Sequence, residues 1–241
     1  GQNVLSAARL AEIGFRRMVA PRELPLRDIR TLCAASPIET EIFIHGALCV
    51  SHSGQCLFSS VIGGRSGNRG ECAQPCRLPY RARCAYPLSL KDLCLAEHIP
   101  ALMEAGAASF KIEGRMKSAE YVYGVVSIYR RLIDEGRGAT PEEMEALARL
   151  FSRSGFTDGY FTERISSSML GVRTEEDKRT SVSAAEWGFP EKRLPLAMEG
   201  SFRVGQPARL HGMVKRGEES FSVTVSGNVC RRAERTPTGI D

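Results

Sequence analysis

The chain has 241 residues, with 33 basic against 28 acidic side chains and a formal net charge of +5. That length can bury a sizeable core without disulfide staples, and the mild positive excess permits a nucleic-acid partner without requiring one. No apolar run is long enough to span a bilayer and no secretory signal is recognisable, so the expected setting is the reducing cytoplasm, with no membrane partner.

Apolar positions at helical spacing and a closing glycine predict a helix over 3–14, followed by a strand over 15–20, a helix over 25–36 and a strand over 41–46. Alternation of this kind belongs to parallel sheets. A right-handed β–α–β unit needs a strand ahead of its helix, so a chain that opens on a helix is expected to be part of a TIM-like βα barrel whose N-terminal strands are missing. A glycine- and cysteine-rich segment, 45–95, interrupts the pattern. It resumes with a short strand over 89–93, a helix over 95–106, a strand over 108–114, and helices over 117–136 and 141–155, the last opening on proline and closing on glycine. Residues 156–173 are rich in loop formers and 173–193 are polar, as in a linker. Alternating strands over 196–204, 207–214 and 220–229 then open a small β domain. The expected organisation is α/β: a barrel domain over 1–185, a linker over 186–193 and a β-rich domain over 194–241.

The chain has eight cysteines, and four of them, Cys49, Cys56, Cys72 and Cys76, crowd the interrupting segment as Cys-x6-Cys, fifteen residues, then Cys-x3-Cys. Thiolates gathered between glycine-rich turns in a reduced compartment are metal ligands. Four sulfurs suit an iron–sulfur cluster or a structural zinc. Zinc ribbons use Cys-x2-Cys knuckles, absent here, so the open spacings fit a cluster better while leaving zinc as the alternative. Cys33 lies in an amphipathic helical pattern and reads as core, Cys230 lies far off in the β-rich region, and Cys84 and Cys94 are close enough to serve as reserve ligands.

The run Glu41, Phe43, His45, Gly46, Ala47, Cys49, Ser53, Gly54, Cys56 and Ser59 resembles the signature of the collagenase-like peptidase family U32, and the blocks 67–77, 89–94 and 109–122 resemble that family's flanking motifs. The β-rich tail looks like the extra domain of the family's long, ribosomal-RNA-modifying branch. The resemblance implies RNA hydroxylation, on 23S ribosomal RNA or tRNA bases, by proteins that carry a 4Fe–4S cluster on four cysteines and are linked to prephenate as oxygen donor. Cys49, Cys56, Cys72 and Cys76 match all four ligand positions. The peptidase reading is the alternative. His45 and His52 flank Cys49 and could serve a thiolate nucleophile, but a sulfur bound to iron is no free nucleophile, and His-Glu-x-x-His and Gly-x-Ser-x-Gly motifs are absent. A non-catalytic, metal-stabilised RNA-binding module is a third reading.

In a βα barrel the chemistry gathers at the C-terminal ends of the strands. Arg22 and Glu23 follow the first strand, His45 ends the next, and Lys111, Glu113 and Arg115 end a third, so these six are the expected catalytic rim, with Lys111 or Arg115 holding a carboxylate of an acidic donor. Arg65, Arg69, Arg77, Arg81 and Arg83, interleaved with Tyr80 and Tyr86, suit single-stranded RNA through phosphate contacts and base stacking. Their alternative role is to offset the charge of the cluster.

Overall fold

The structure, a computed structural model, describes residues 3–115, 117–175, 177, 196–216 and 219–229. Cys230, the expected linker over 186–193 and most of the polar run before it lie outside the described residues. The chain divides into two compact units, Gly1–Phe189 and Pro190–Asp241.

The first unit is built on a five-stranded sheet. Helix α1 (Val4–Glu12) starts where the Asn3 side chain accepts a hydrogen bond from the Ser6 N–H, one of the donors a helix start leaves open. It leads to β1 (Arg17–Val19), α2 (Leu26–Ala35) and β2 (Glu39–Gly46). The cysteine-rich segment follows, with the short helix α3 (Phe58–Gly63) that periodicity did not signal. Then come β3 (Asp92–Cys94), α4 (Ile99–Glu104), β4 (Ser109–Ile112), α5 (Ala119–Glu135), α6 (Pro141–Leu150) and β5 (Phe156–Thr157). Strand β2 is the centre: β1 and β4 both pair with it in parallel. The strand expected over 89–93 forms at Asp92–Cys94 and differs in direction. β3 runs antiparallel to β2, through His45–Cys94 and Gly46–Leu93, and parallel to β5. The sheet is therefore mixed rather than a uniform parallel series.

Helix α5 shows how local chemistry sets an element. Ser118 caps its start by accepting from the Tyr121 N–H. Its buried positions, Tyr121, Val125, Ile128, Tyr129 and Leu132, fall on one stripe that packs into the core. Gly136 ends it at φ +63°, a left-handed turn that a side chain would strain. Helix α6 opens with a capping box, Thr140 and Glu143 each bonding the other's backbone N–H, with Pro141 in its first turn. The Glu143 carboxylate also accepts from Arg131 at 2.7 Å and from Arg137 at 2.7 Å, tying α6 to α5 and to the turn between them.

The second unit shows an antiparallel meander, β6 (Leu196–Ser201), β7 (Pro207–Arg216) and β8 (Glu219–Val229), in the order β6–β7–β8.

Hydrogen bonds from Arg137, then from the Thr140 backbone and Arg131, outweigh burial and hold the Glu143 carboxyl down at about 2, below its ordinary 4.5. A depressed carboxyl contributes stability that is full above its unfolded value and lost as pH falls toward its folded one. Glu143→Gln is expected to lower the urea midpoint at pH 7, and the gap from wild type should close between pH 4.5 and 2. Urea melts of both proteins across that range check it.

Candidate metal centre at the strand ends

The backbone leaving β2 runs directly into the cysteine loops, and the first contact made there fixes the rest. Gly46 has φ +108°, and a Cβ at this position would stand 2.6 Å from the Glu113 carbonyl oxygen, so the end of β2 lies flush against the chain leaving β4. Glu113 in turn accepts from Arg22 at 2.8 Å. The Arg22 guanidinium lies 4.0 Å above the Phe43 ring, and its Nε is buried without a partner among the described residues. The ends of β1, β2 and β4 thus meet through Arg22, Gly46 and Glu113.

Glu23 faces the first cysteine loop. Its carboxylate accepts from the Ser53 N–H and the Ser53 hydroxyl, both at 2.8 Å, and stands 3.6 Å from His52 Nδ1. That pair of bonds clamps the turn between Cys49 and Cys56 to the end of β1. The buried Ser59 hydroxyl of α3 accepts from the Ala73 N–H at 2.9 Å, linking the first loop to the second. Arg115 lies over Gly70, where an added Cβ would be 3.0 Å from its Nη1.

Between these clamps is a cavity of about 370 Å³. All four cysteines of the segment, Cys49, Cys56, Cys72 and Cys76, line it, together with Arg22 and Phe43. The four are free thiols and half-buried. Burial pushes the Cys76 thiol up, Arg77 pulls it down, and Cys49, Cys72 and Cys56 act on it as neighbouring like charges. Among the described residues no group of three or more His, Cys, Asp or Glu is closed around the position of a single metal ion. Four soft sulfur donors line one partly buried cavity, the residue type that thiolate-ligated centres use.

The remaining expected residues divide. Lys111 is not among the residues that line the cavity: its ammonium stands 3.0 Å from Glu41 and 5.6 Å from the centre of the Phe43 ring. Burial pushes Glu41 up, but hydrogen bonds from Lys111 and Ser109 outweigh it and hold the carboxyl below its ordinary range. His45 is the larger correction. Alternation along β2 would place it on the face of Glu41 and Phe43, yet two residues of β2 step against one of β4 between Phe43 and His45. Such irregularities re-aim the side chains that follow, and His45 is 1% exposed, packed against Tyr121, Tyr129 and Phe156. Its Nδ1 meets the Tyr129 hydroxyl at 3.2 Å, and burial, then the Lys117 charge, pushes its pKa down to about 3. It does not line the cavity.

Cys94 is buried against Tyr129 and Met144, with its thiol pushed up to about 11 by burial, and it does not line the cavity either. Cys84 is exposed. Cys33 is half-buried and packed against the core. Arg65, Arg69, Arg81 and Arg83 are exposed. Arg77 separates from that set, because its guanidinium turns inward onto Leu48, Ser89 and Leu90. Tyr80 is half-buried, with its hydroxyl donated to the Pro75 carbonyl at 2.9 Å and its ring 6.3 Å from that of Phe58. Sequence reasoning missed Ser53 as the partner of Glu23. A serine within a glycine turn carries no mark of that role, although it stands between the two cysteines it helps to place.

Known proteins give this arrangement a context. The profile described as Peptidase family U32 matches residues 2–170. The chain is 43% identical over 169 residues to the 23S rRNA 5-hydroxycytidine C2501 synthase of Escherichia coli, covering 66% of this chain and 25% of that protein. It is 42% identical over 138 residues to tRNA hydroxylation protein P1 of Bacillus subtilis, covering 51% and 33%. It is also 37% identical over 172 residues to a protein named Collagenase from Porphyromonas gingivalis, covering 60% and 41%. The chain thus spans between a quarter and a half of these relatives' lengths. No solved structure matches.

A histidine whose folded pKa is depressed from 6.5 to about 3 contributes stability that is present above 6.5 and lost as pH falls toward 3. The His45 ring is expected to stay neutral down to pH 5. Nitrogen chemical shifts of the ring in labelled protein check it, and a midpoint near 6.5 would contradict the buried placement.

Proposed function

The chain belongs to peptidase family U32, and on that basis we propose that it is the cluster-binding part of an RNA hydroxylase acting on ribosomal RNA or tRNA in the cytoplasm. The observation that carries the reading is the cavity on which Cys49, Cys56, Cys72 and Cys76 converge beside Arg22 and Phe43. Relatives named for 5-hydroxycytidine synthesis on 23S rRNA and for tRNA hydroxylation support the substrate class. In this reading β1, β2 and β4, with helices α2 and α4, are one part of a βα barrel, and the segment 45–95 is the cysteine-rich insertion.

The four thiolates would hold a 4Fe–4S cluster. The Cys-x6-Cys and Cys-x3-Cys spacings, with no Cys-x2-Cys knuckle, favour a cluster over zinc. The cluster's contribution is electron transfer beside the reacting base. The protein's own residues supply the rest. Arg22, fixed by Glu113 and Phe43 at the edge of the cavity, offers a bidentate fork for an acidic oxygen donor such as prephenate. Arg115, exposed across the second loop, is a further cation for it. Exposed Arg65, Arg69 and Arg81 supply phosphate contacts for a single-stranded RNA loop. The clamps from Glu23 and Glu113 hold this rim against the cysteine loops.

The peptidase reading has an observation of its own: His52 lines the cavity that Cys49 also lines, and its Nδ1 stands 3.6 Å from the Glu23 carboxylate. The two readings separate in one experiment. Protein prepared anaerobically is expected to carry iron and sulfide and a broad absorbance near ~400 nm. Replacing any of Cys49, Cys56, Cys72 or Cys76 with Ala should remove both, while Cys33→Ala and Cys94→Ala should not. RNA affinity should fall steeply with salt, with a shallower slope after Arg81→Glu. A metal-free protein that cleaves denatured collagen and loses that activity with Cys49→Ser or His52→Ala would overturn the hydroxylase reading in favour of the peptidase.

A further inference from the structure

Arg77 follows Cys76 directly, in the short turn Pro75–Arg77. Its side chain is not a surface cation. Nη2 donates to the Leu48 carbonyl at 2.6 Å, and Nη1 donates to the Ser89 hydroxyl at 3.0 Å and to the Leu90 carbonyl. Leu48 is the residue before Cys49. Ser89 is buried and passes its own proton to the Gly171 carbonyl at 2.7 Å. One guanidinium therefore joins three stretches of backbone: the approach to Cys49, the exit from Cys76, and the run leading into β3.

The acceptors it uses are two carbonyls and a hydroxyl, none of them a carboxylate. A guanidinium removed from water on neutral partners keeps an uncompensated charge, which is costly unless an anion stands nearby. Arg153 opposes the Arg77 charge; of the groups that favour it when ionised, Cys76, Asp92 and Cys49, the Asp92 carboxylate is already bonded by Arg153. The field of Arg77 is thus left to fall on the cysteine cavity.

We propose that Arg77 is a positioning residue for the thiolate-ligated centre: it fixes the first cysteine pair relative to the second through Leu48, and it sets a permanent positive charge beside their sulfurs. This inference rests on the cluster reading given above. It removes Arg77 from the residues that touch RNA, and it gives Arg77 two separable duties, tether and charge. Lysine keeps the charge and loses the planar fork that reaches Leu48 and Leu90 together. Methionine loses both.

The test uses Arg77→Lys and Arg77→Met in the full chain, with Arg81→Met as the exposed control. Iron retention during anaerobic gel filtration should fall roughly tenfold or more for both Arg77 variants, the usual scale for lost outer-shell support of a metal site, and should not change for Arg81→Met. In the cluster that remains, the midpoint potential should be more negative for Arg77→Met, because removing a cation disfavours the added electron, and close to wild type for Arg77→Lys. In metal-free protein, protease cleavage within 49–76 should be faster for both Arg77 variants. Circular dichroism screens for global unfolding, and if Arg77→Met fails it, Arg77→Lys carries the retention and cleavage arms. Wild-type retention and cleavage in Arg77→Lys, or wild-type retention and potential in Arg77→Met, overturns the proposal. So does a loss of RNA affinity with the cluster intact. Absence of iron from the wild-type protein defeats the cluster reading itself, and this inference with it.

Discussion

The structure depends on the flush contact between Gly46 and Glu113. Strand β2 carries both parallel neighbours, and its last residue must pass the backbone leaving β4 with no room for a Cβ. At φ +108° glycine makes that passage without strain. The consequence is positional. Glu113 is brought to where Arg22, from the loop after β1, can reach it, and the chain three residues beyond Gly46 is already Cys49. The arginine at the cavity edge and the first thiol are therefore set by a single close approach rather than by separate devices.

The long helices were legible because their chemistry is local. Ser118 and Gly136 bracket α5, and Thr140, Pro141 and Glu143 mark the start of α6. Cys49, Cys56, Cys72 and Cys76, singled out by their spacing, line one cavity. What escaped was whatever depends on a distant partner. No local feature of residues 92–94 announces that β3 runs against β2, because a three-residue strand takes its direction from the neighbour it meets. Helix α3 leaves Val61 and Ile62 exposed, so no apolar stripe marks it. The irregularity after Phe43 reverses the expectation for His45, and it is visible only in the register with β4. Arg77 and Arg81 look alike in the sequence, yet one is fastened to carbonyls and the other meets solvent.

That division among the arginines has an electrostatic logic. A cation near thiolates stabilises them, while a cation facing water attracts phosphate, and the same residue type does either according to which acceptors its backbone position offers. Arg22 occupies a third situation. It is stacked on Phe43 and paired with Glu113, and its Nε is still without an acceptor among the described residues. A buried donor left open costs roughly 1–3 kcal/mol.

The backbone bonds of the cysteine segment are mostly short-range, within its turns and its one short helix. Glu23 to Ser53, Ser59 to Ala73, Arg77 to Leu48 and Leu90, and Tyr80 to Pro75 are its main side-chain ties. A typical hydrogen bond contributes about 1 kcal/mol net, whereas ordering one residue of backbone costs roughly 1–2 kcal/mol. Between Cys49 and Cys76 there is one six-residue helix and little buried apolar surface. The ties select the path of the loops without offsetting the entropy of holding them there. On the cluster reading, coordination by four thiolates supplies the difference, since metal-binding free energy in such segments is folding free energy. The sheet then serves as the rigid side of the site: Gly46, Glu113 and Glu23 hold one wall of the cavity in place, and on that reading a bound centre would draw the other wall onto it.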